Sequence, residues 1–163
     1  MTDRIRQVTM EDLDRVTEVE ALCFPPAEAA DRQAFEERIR RFPDSFFVAE
    51  KDGQIIGFIN GAVTEERTIR DEMFADSSLH DPLGSYQSIF GLDVVPEWQH
   101  QGIAGELMTH MIRAAGEKGR KGLILTCKER LLGFYERFGY RNLGVSASVH
   151  GGAVWYDMIL ELR

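Results

Sequence analysis

Between Tyr86 and Cys127 the order of sequence patterns leaves few folds open. Tyr86–Val95 reads as a strand closed by Pro96, and Ile103, Leu107, Met111 and Ala115 then recur four apart, the spacing of one helical face. Gly119 stops that helix, and Leu123–Cys127 is a short, nearly continuous apolar run, as a strand buried on both faces requires. Strand, helix and strand in this order predict a parallel, right-handed crossover, the only hand in which the twisted strand and its helix pack back onto the sheet.

The flanks extend that unit. Ile5–Val8 predicts a strand, and Thr9 followed by Asp12 predicts a helix start. Leu13, Val16, Val19, Glu20 and Cys23 then fall on one helical face, ended by Pro25 and Pro26. A second helix spans Asp31–Arg41 with Phe35, Ile39 and Phe42 on one stripe, stopped by Pro43. Phe46–Glu50 and Gln54–Val63 read as a hairpin about Lys51-Asp52-Gly53. Thr64–Gly84 is polar and acidic, with a short helix near Ile69–Phe74. Glu129–Phe138 predicts a helix closed by Gly139, and the tail reads as a hairpin of Arg141–Ala147 and Ala153–Leu160 about His150-Gly151-Gly152. The expected fold is α/β: one mixed sheet of about seven strands flanked by about four helices, a single domain over residues 1–163.

Charge and cysteine usage narrow the function. The formal charge of -8 argues against nucleic acid, whose backbone is bound by Lys and Arg, and suits a cationic partner. No stretch approaches the ~20 apolar residues that cross a bilayer, and Met1–Arg6 leads into no apolar segment, so neither a membrane span nor a signal peptide is expected. Cys23 and Cys127 form no CxxC pair and read as reduced thiols of a cytoplasmic protein. No His/Cys/Asp cluster has metal-ligand spacing, and no G-x-S-x-G elbow supports a hydrolase.

The segment that carries chemistry is Gln99-His100-Gln101-Gly102-Ile103-Ala104-Gly105, between a strand and an amphipathic helix. Missing side chains let a ligand approach the backbone, and the unpaired N–H groups of the helix start favour an anion such as a pyrophosphate. A glycine-rich turn without a ligand is the bland alternative, and composition does not choose between them. The spacing is neither a dinucleotide G-x-G-x-x-G nor a P-loop.

These residues resemble the coenzyme A signature of the GNAT N-acetyltransferase superfamily, Gln/Arg-x-x-Gly-x-Gly/Ala, met by Gln99, Gly102 and Ala104. The strand Gly91–Pro96 before the loop, the helix behind it and the run Gly133–Tyr140 fit the same family. In detail the chain is most similar to the arylalkylamine (serotonin-type) branch, on Thr9–Asp12, Glu65–Arg67, Leu125–Glu129 and Phe134–Gly139. The resemblance implies acetyl-CoA as cosubstrate. It places the pantetheine arm on the backbone of Leu92, Asp93 and Val94, the pyrophosphate on Gln99–Gly105, and Thr126 and Tyr135 at the far end of the cofactor. It also implies the Val94 N–H as oxyanion donor and Tyr135 as the acid that protonates the leaving thiolate. Because Leu131, Tyr135 and Phe138 share a helical face, a packing role for Tyr135 stands beside the catalytic one.

The base departs from the branch. Its two strand histidines fall here on Ser88 and Phe90, neither a base at neutral pH. Alternation puts Ser88, Phe90 and Leu92 on one face and Asp93 on the other, which makes Asp93 a poor substitute. His110 falls opposite the apolar stripe of its helix and reads as solvent-exposed. His80 and His150 lie in loops that could border an acceptor site, so the base is unassigned, with Ser88 and His150 as weak candidates. The branch implies an acceptor pocket near Phe24, Pro25 and the acidic segment with Glu65 and Glu66, beside Ser88 and Phe90. Trp98, Trp155, Phe46, Phe47 and Phe58 read as core. The expected activity is acetylation of a small primary amine, an aralkylamine or polyamine, by a monomer or homodimer. A protein N-terminal or lysine acetyltransferase and a non-catalytic acyl-CoA sensor are the alternatives.

Overall fold

Two stretches that read as continuous strands each break once, and both breaks fall at the same level of the structure. The computed structural model describes residues 2–162. Residues 54–63 divide into β3 (Gln54–Asn60) and β4 (Val63–Thr64), and residues 86–95 into β5 (Tyr86–Ile89) and β6 (Gly91–Val94). A side chain at Gly61 would collide with the carbonyl of Ser88, so the crossing admits only glycine there. The Phe90 N–H donates to the Asn60 carbonyl at 2.7 Å, and the Ser88 N–H to that of Ala62 at 2.9 Å. At this seam the chain passes from one sheet to another, and the expected single mixed sheet is two.

The first sheet has the order β1 (Arg4–Gln7), β2 (Phe46–Lys51), β3, β6, and all its pairs are antiparallel. The second has the order β4, β5, β7 (Gly122–Cys127), β9 (Tyr156–Glu161), β8 (Arg141–Val145). Only β5 and β7 are parallel, joined by the expected crossover through α4 (Ile103–Glu117). The remaining helices are α1 (Leu13–Cys23), α2 (Arg32–Arg41), α3 (Asp71–Ala75) and α5 (Leu132–Glu136). Nine strands and five helices thus replace the expected seven and four among the described residues.

The first sheet is buried on both faces, which explains its nearly unbroken apolar runs. Phe46 and Phe58 pack against Phe35 of α2, ring centroids 6.1 and 5.5 Å away. On the other face Phe47 meets His110 of α4 edge-on at 4.5 Å, so His110 is half-buried and not solvent-exposed. Burial and the charge of Arg113 hold its pKa below the ordinary histidine value. The turn into α1 closes as its sequence implies: the Asp12 carboxylate accepts from the Thr9 N–H at 2.8 Å and pairs with Arg6 through two bonds of 2.8 and 2.9 Å.

Candidate active site

The seam opens a cleft. Strand β7 pairs with β5 only as far as Leu125 opposite Ile89. Beyond that level β6 follows β3 into the other sheet, and Thr126 and Cys127 face a gap. In the antiparallel β3–β6 pair Val94 lies opposite Gly57 and Leu92 opposite Ile59, while the next residue, Val95, donates to the Ile56 carbonyl at 2.9 Å. Alternation then turns the N–H and C=O groups of Leu92 and Val94 toward the gap and those of Asp93 toward β3. Asp93, expected to offer its backbone with its neighbours, has it spent in the sheet.

At the end of β6 the chain makes the turn into α4. His100 and Gly102 take left-handed conformations, φ 64° and 85°, and open space lies where a Gly102 side chain would stand. The first N–H with a helical partner is that of Glu106, which donates to Gly102 at 3.1 Å, so the N–H groups of Gly102, Ile103, Ala104 and Gly105 are unspent by the helix. His100 and Gln101 are exposed on this turn. The side-chain amide of Gln99 donates to the Val94 carbonyl at 2.9 Å, an anchor on the strand where a ligand contact was expected.

A cavity of about 540 Å³ occupies the other end of the cleft. Phe24, Phe90, Leu92, Thr126, Tyr135, His150 and Trp155 line it, as do Glu20, Glu28, Asp31, Glu37, Arg38 and Asp71. Its roof is made by three segments clasped together. The His150 ring stacks on Phe74 at 5.1 Å, its Nε2 lies 2.9 Å from the Glu28 carbonyl oxygen, and Trp155 donates to the His150 carbonyl at 2.8 Å. Lys128 closes the clasp with a 2.9 Å bond to the Glu28 carboxylate. Trp155 is therefore a wall of the cavity, whereas Trp98 packs on the core as expected.

Tyr135 enters this cavity from α5. Its ring packs edge-on against Phe134 and Tyr140 at 5.1 and 5.8 Å, and its hydroxyl bonds to no group among the described residues. Burial, and after it the nearby Cys127 and Asp93, raise its pKa, so it holds its proton at neutral pH. Burial also pushes the Cys23 and Cys127 thiols up to about 11, and Cys23 donates to the Val94 carbonyl at 3.2 Å.

Several expected residues lie elsewhere. Ser88 is fully buried and donates to the Ala62 carbonyl at 2.6 Å, locked in the sheet because the break at Phe90 ends the alternation it was read on. His80 accepts from the Val63 N–H at 3.0 Å and packs on Phe42, apart from the cavity. Glu65 and Glu66 are exposed at the far end of β5, where Glu65 holds the Ser85 hydroxyl at 3.0 Å and Glu66 pairs with Arg70 at 2.6 Å. Pro25 is exposed and its carbonyl accepts from Glu28 and Ala29 in the turn after α1. The cavity's carboxylates come instead from α1, α2, the loop between them and Asp71. Glu20 and Arg38 escaped sequence reasoning, although each is a charged residue on an otherwise apolar helical stripe.

The model of the acetyltransferase (GNAT) family matches residues 13–140. Serotonin N-acetyltransferase of Mesocricetus auratus is 25% identical over 114 residues, which are 69% of this chain and 54% of that protein, so the chain spans about half the length of that relative. Among solved structures, the GphF GNAT-like decarboxylase in complex with isobutyryl-CoA superposes with a TM-score of 0.86 at 23% identity, covering 98% of this chain and all of that one. The ribosomal-protein-S18-alanine N-acetyltransferase of Escherichia coli gives 0.74 at 18% identity, covering 98% and 94%. At these identities the structures speak to the fold: the same splayed pair of sheets. With that fold, and with a family match running from α1 through the cleft to Tyr140, the chain belongs to the acetyltransferase (GNAT) family.

Proposed function

We propose that the protein transfers an acetyl group from acetyl-CoA to a small cationic primary amine, of the aralkylamine or polyamine class. The observation that carries this reading is the free edge of β6, which runs into the left-handed turn before α4. The residues present fit coenzyme A. The Leu92 backbone and the Val94 N–H offer an added-strand edge to the pantetheine arm, and the N–H groups of Gly102–Gly105 offer an anion cradle to the pyrophosphate. Thr126 and Tyr135 stand where the thioester end would lie. The thioester supplies an activated acyl carbon. In this reading the Val94 N–H stabilises the charge that develops on its oxygen, and Tyr135, kept protonated by burial, protonates the departing sulfur.

The cavity supports the choice of acceptor. Its size suits a small molecule, its Phe24, Phe74, Phe90 and Trp155 walls suit an aryl or alkyl body, and its carboxylates outnumber its cations. Serotonin N-acetyltransferase is named for such an amine. A peptide acceptor fits less well, because the clasp of His150, Phe74, Glu28 and Lys128 roofs the cavity. The test is release of free thiol from acetyl-CoA against a panel of aralkylamines, polyamines and N-terminal peptides. Turnover with the amines supports the reading; turnover with peptides alone replaces the acceptor; binding of acetyl-CoA with no turnover leaves a sensor.

A further inference from the structure

At the cavity floor lies a charged cluster to which the reading above gives no step in the reaction. Glu20 of α1 is buried with one edge on the cavity; its Oε2 accepts from the Ala30 N–H at 2.9 Å, and its Oε1 has no donor among the described residues. Asp93 of β6 is buried on the same face of the sheet, and neither of its oxygens has a donor among the described residues. The two carboxyls flank Gly91, where a Cβ would stand 3.1 Å from Asp93 Oδ1 and 3.8 Å from Glu20 Oε1. Arg38 of α2 is the cation beside them. Its guanidinium donates to Asn60 Oδ1 at 3.2 Å and the Phe74 carbonyl at 3.0 Å, and it lies over the Phe90 ring at 4.9 Å.

Buried carboxyl oxygens without donors are costly, and a proton held by the pair supplies the missing donor. With that proton the cluster is neutral: one guanidinium, one carboxylate and one carboxylic acid. Glu20 is the member of the pair that faces the cavity. We propose that Glu20, backed by Asp93, takes the proton from the ammonium of the acceptor; the inference rests on the acetyl-transfer reading. The ammonium gives one proton to Glu20, and the freed lone pair forms the C–N bond as the C–S bond breaks. The sulfur leaves with that bond's electron pair and takes the Tyr135 proton. The nitrogen's second proton restores Tyr135, and Glu20 returns its own to water. His150 is less suited, since its ring is stacked on Phe74 and bonded to the Glu28 carbonyl as part of the roof.

Burial, and after it the charge of Glu20, raise the Asp93 pKa well above the carboxylate range, with Cys23 adding to the shift and Arg38 opposing it. The other groups packed around the pair are Asn60 and, from α5, Tyr135. A raised folded-state value means that Asp93 contributes stability that is full below the unfolded value of ~3.9 and lost as pH rises through the folded one.

The test compares Glu20→Gln, which keeps an oxygen for the Ala30 N–H, with wild type on two acceptors. One is an alkylamine that arrives protonated; the other is its fluorinated analogue, which arrives neutral. The expected result is a loss of ~10²–10⁴-fold in kcat/KM for the alkylamine, with a changed pH profile, and a much smaller loss for the analogue. Equal losses for both, or an unchanged profile, overturn the proposal and leave Glu20 as a brace for Ala30. Thermal melts against pH test the pair without turnover. Asp93→Asn should remove a fall in Tm with rising pH that wild type shows; identical slopes overturn the shared proton. Failure of acetyl transfer shows separately, as wild type that releases no thiol with any amine, and the melts still decide the pair.

Discussion

Gln99 reaches back five residues to donate its side-chain amide to the carbonyl of Val94 at 2.9 Å, and Cys23 donates to the same oxygen at 3.2 Å. Two donors on one carbonyl fix Val94 from its C-terminal side and leave its N–H unspent. The turn that precedes α4 and the strand edge that faces the cleft are thus one rigid piece. Replacing Gln99 by Ala removes one of these bonds, a net effect of about 0.5–1.5 kcal/mol. It should weaken acetyl-CoA binding by up to roughly tenfold, measured by calorimetry.

Acetyl-CoA at a hundred times its Kd should stabilise the wild type by ~2.7 kcal/mol, raising Tm by several degrees. Gly102→Val puts a β-branched residue at φ 85° and a side chain in the space left for a ligand. The variant should fold with a modest loss of stability and show no rise in Tm with acetyl-CoA. A full rise in the variant would move the anion cradle away from this turn.

Tyr135→Phe keeps the ring packed against Phe134 and Tyr140 and removes only the hydroxyl. Loss of the acid should lower kcat by ~10²–10⁴-fold while the Kd of acetyl-CoA stays within a few fold. A variant with wild-type kcat would leave Tyr135 as packing.

Arg38→Met removes the guanidinium from between the Phe35 and Phe90 rings and strands the Glu20–Asp93 pair. Breaking a buried charge set in this way costs about 3–5 kcal/mol, or roughly 6–20 °C in Tm. The deficit should be largest at high pH, where Asp93 is ionised and Arg38 offsets its charge, and shrink as pH falls and Asp93 takes up its proton. A deficit independent of pH would mean that Arg38 acts through its packing and its bonds to Asn60 and Phe74 alone.

Glu37 lines the cavity and Glu65 and Glu66 do not. Glu37→Gln should therefore raise KM for a cationic amine, and the rate at low substrate should fall with salt, because exposed charges are screened over ~10 Å at 0.1 M. Glu65→Gln with Glu66→Gln should leave KM unchanged. The reverse pattern, read from initial rates, would return the substrate path to the 65–66 segment.

The crossover was legible because it rests on local periods: four-residue spacing in α4 and an unbroken apolar run in β7. The seam was not. Residues 54–63 and 86–95 are strand-forming throughout, and they break only because these two segments cross at Gly61 and Ser88, a contact no local window contains. The same break carried Ser88 out of the site, while Asp93, one residue from Leu92 in β6, stays off the cavity wall. The turn before α4 and Tyr135 were found from their motifs, whose spacing is local. Glu20 and Arg38 left a trace, as charges where a helix's buried stripe required apolar residues, but the trace says that a charge is buried and not what it faces. Glu65 and Glu66 came from the branch's resemblance in an acidic segment, and charge density does not tell a cavity wall from a solvated loop.

Tyr86–Val94 belongs to both sheets, and this shared strand makes them a single cooperative unit. Losing β5 from the second sheet drags β6 out of the first, and with it the free edge and the anchor for Gln99. Neither sheet is a stable sub-domain that outlives the other, so calorimetric and van't Hoff enthalpies should agree on one transition. The amides of 86–94 that pair within the sheets should then exchange only through global unfolding. A crevice of this kind cannot be widened by letting one half of the molecule soften; its width is inherited from the stability of the whole.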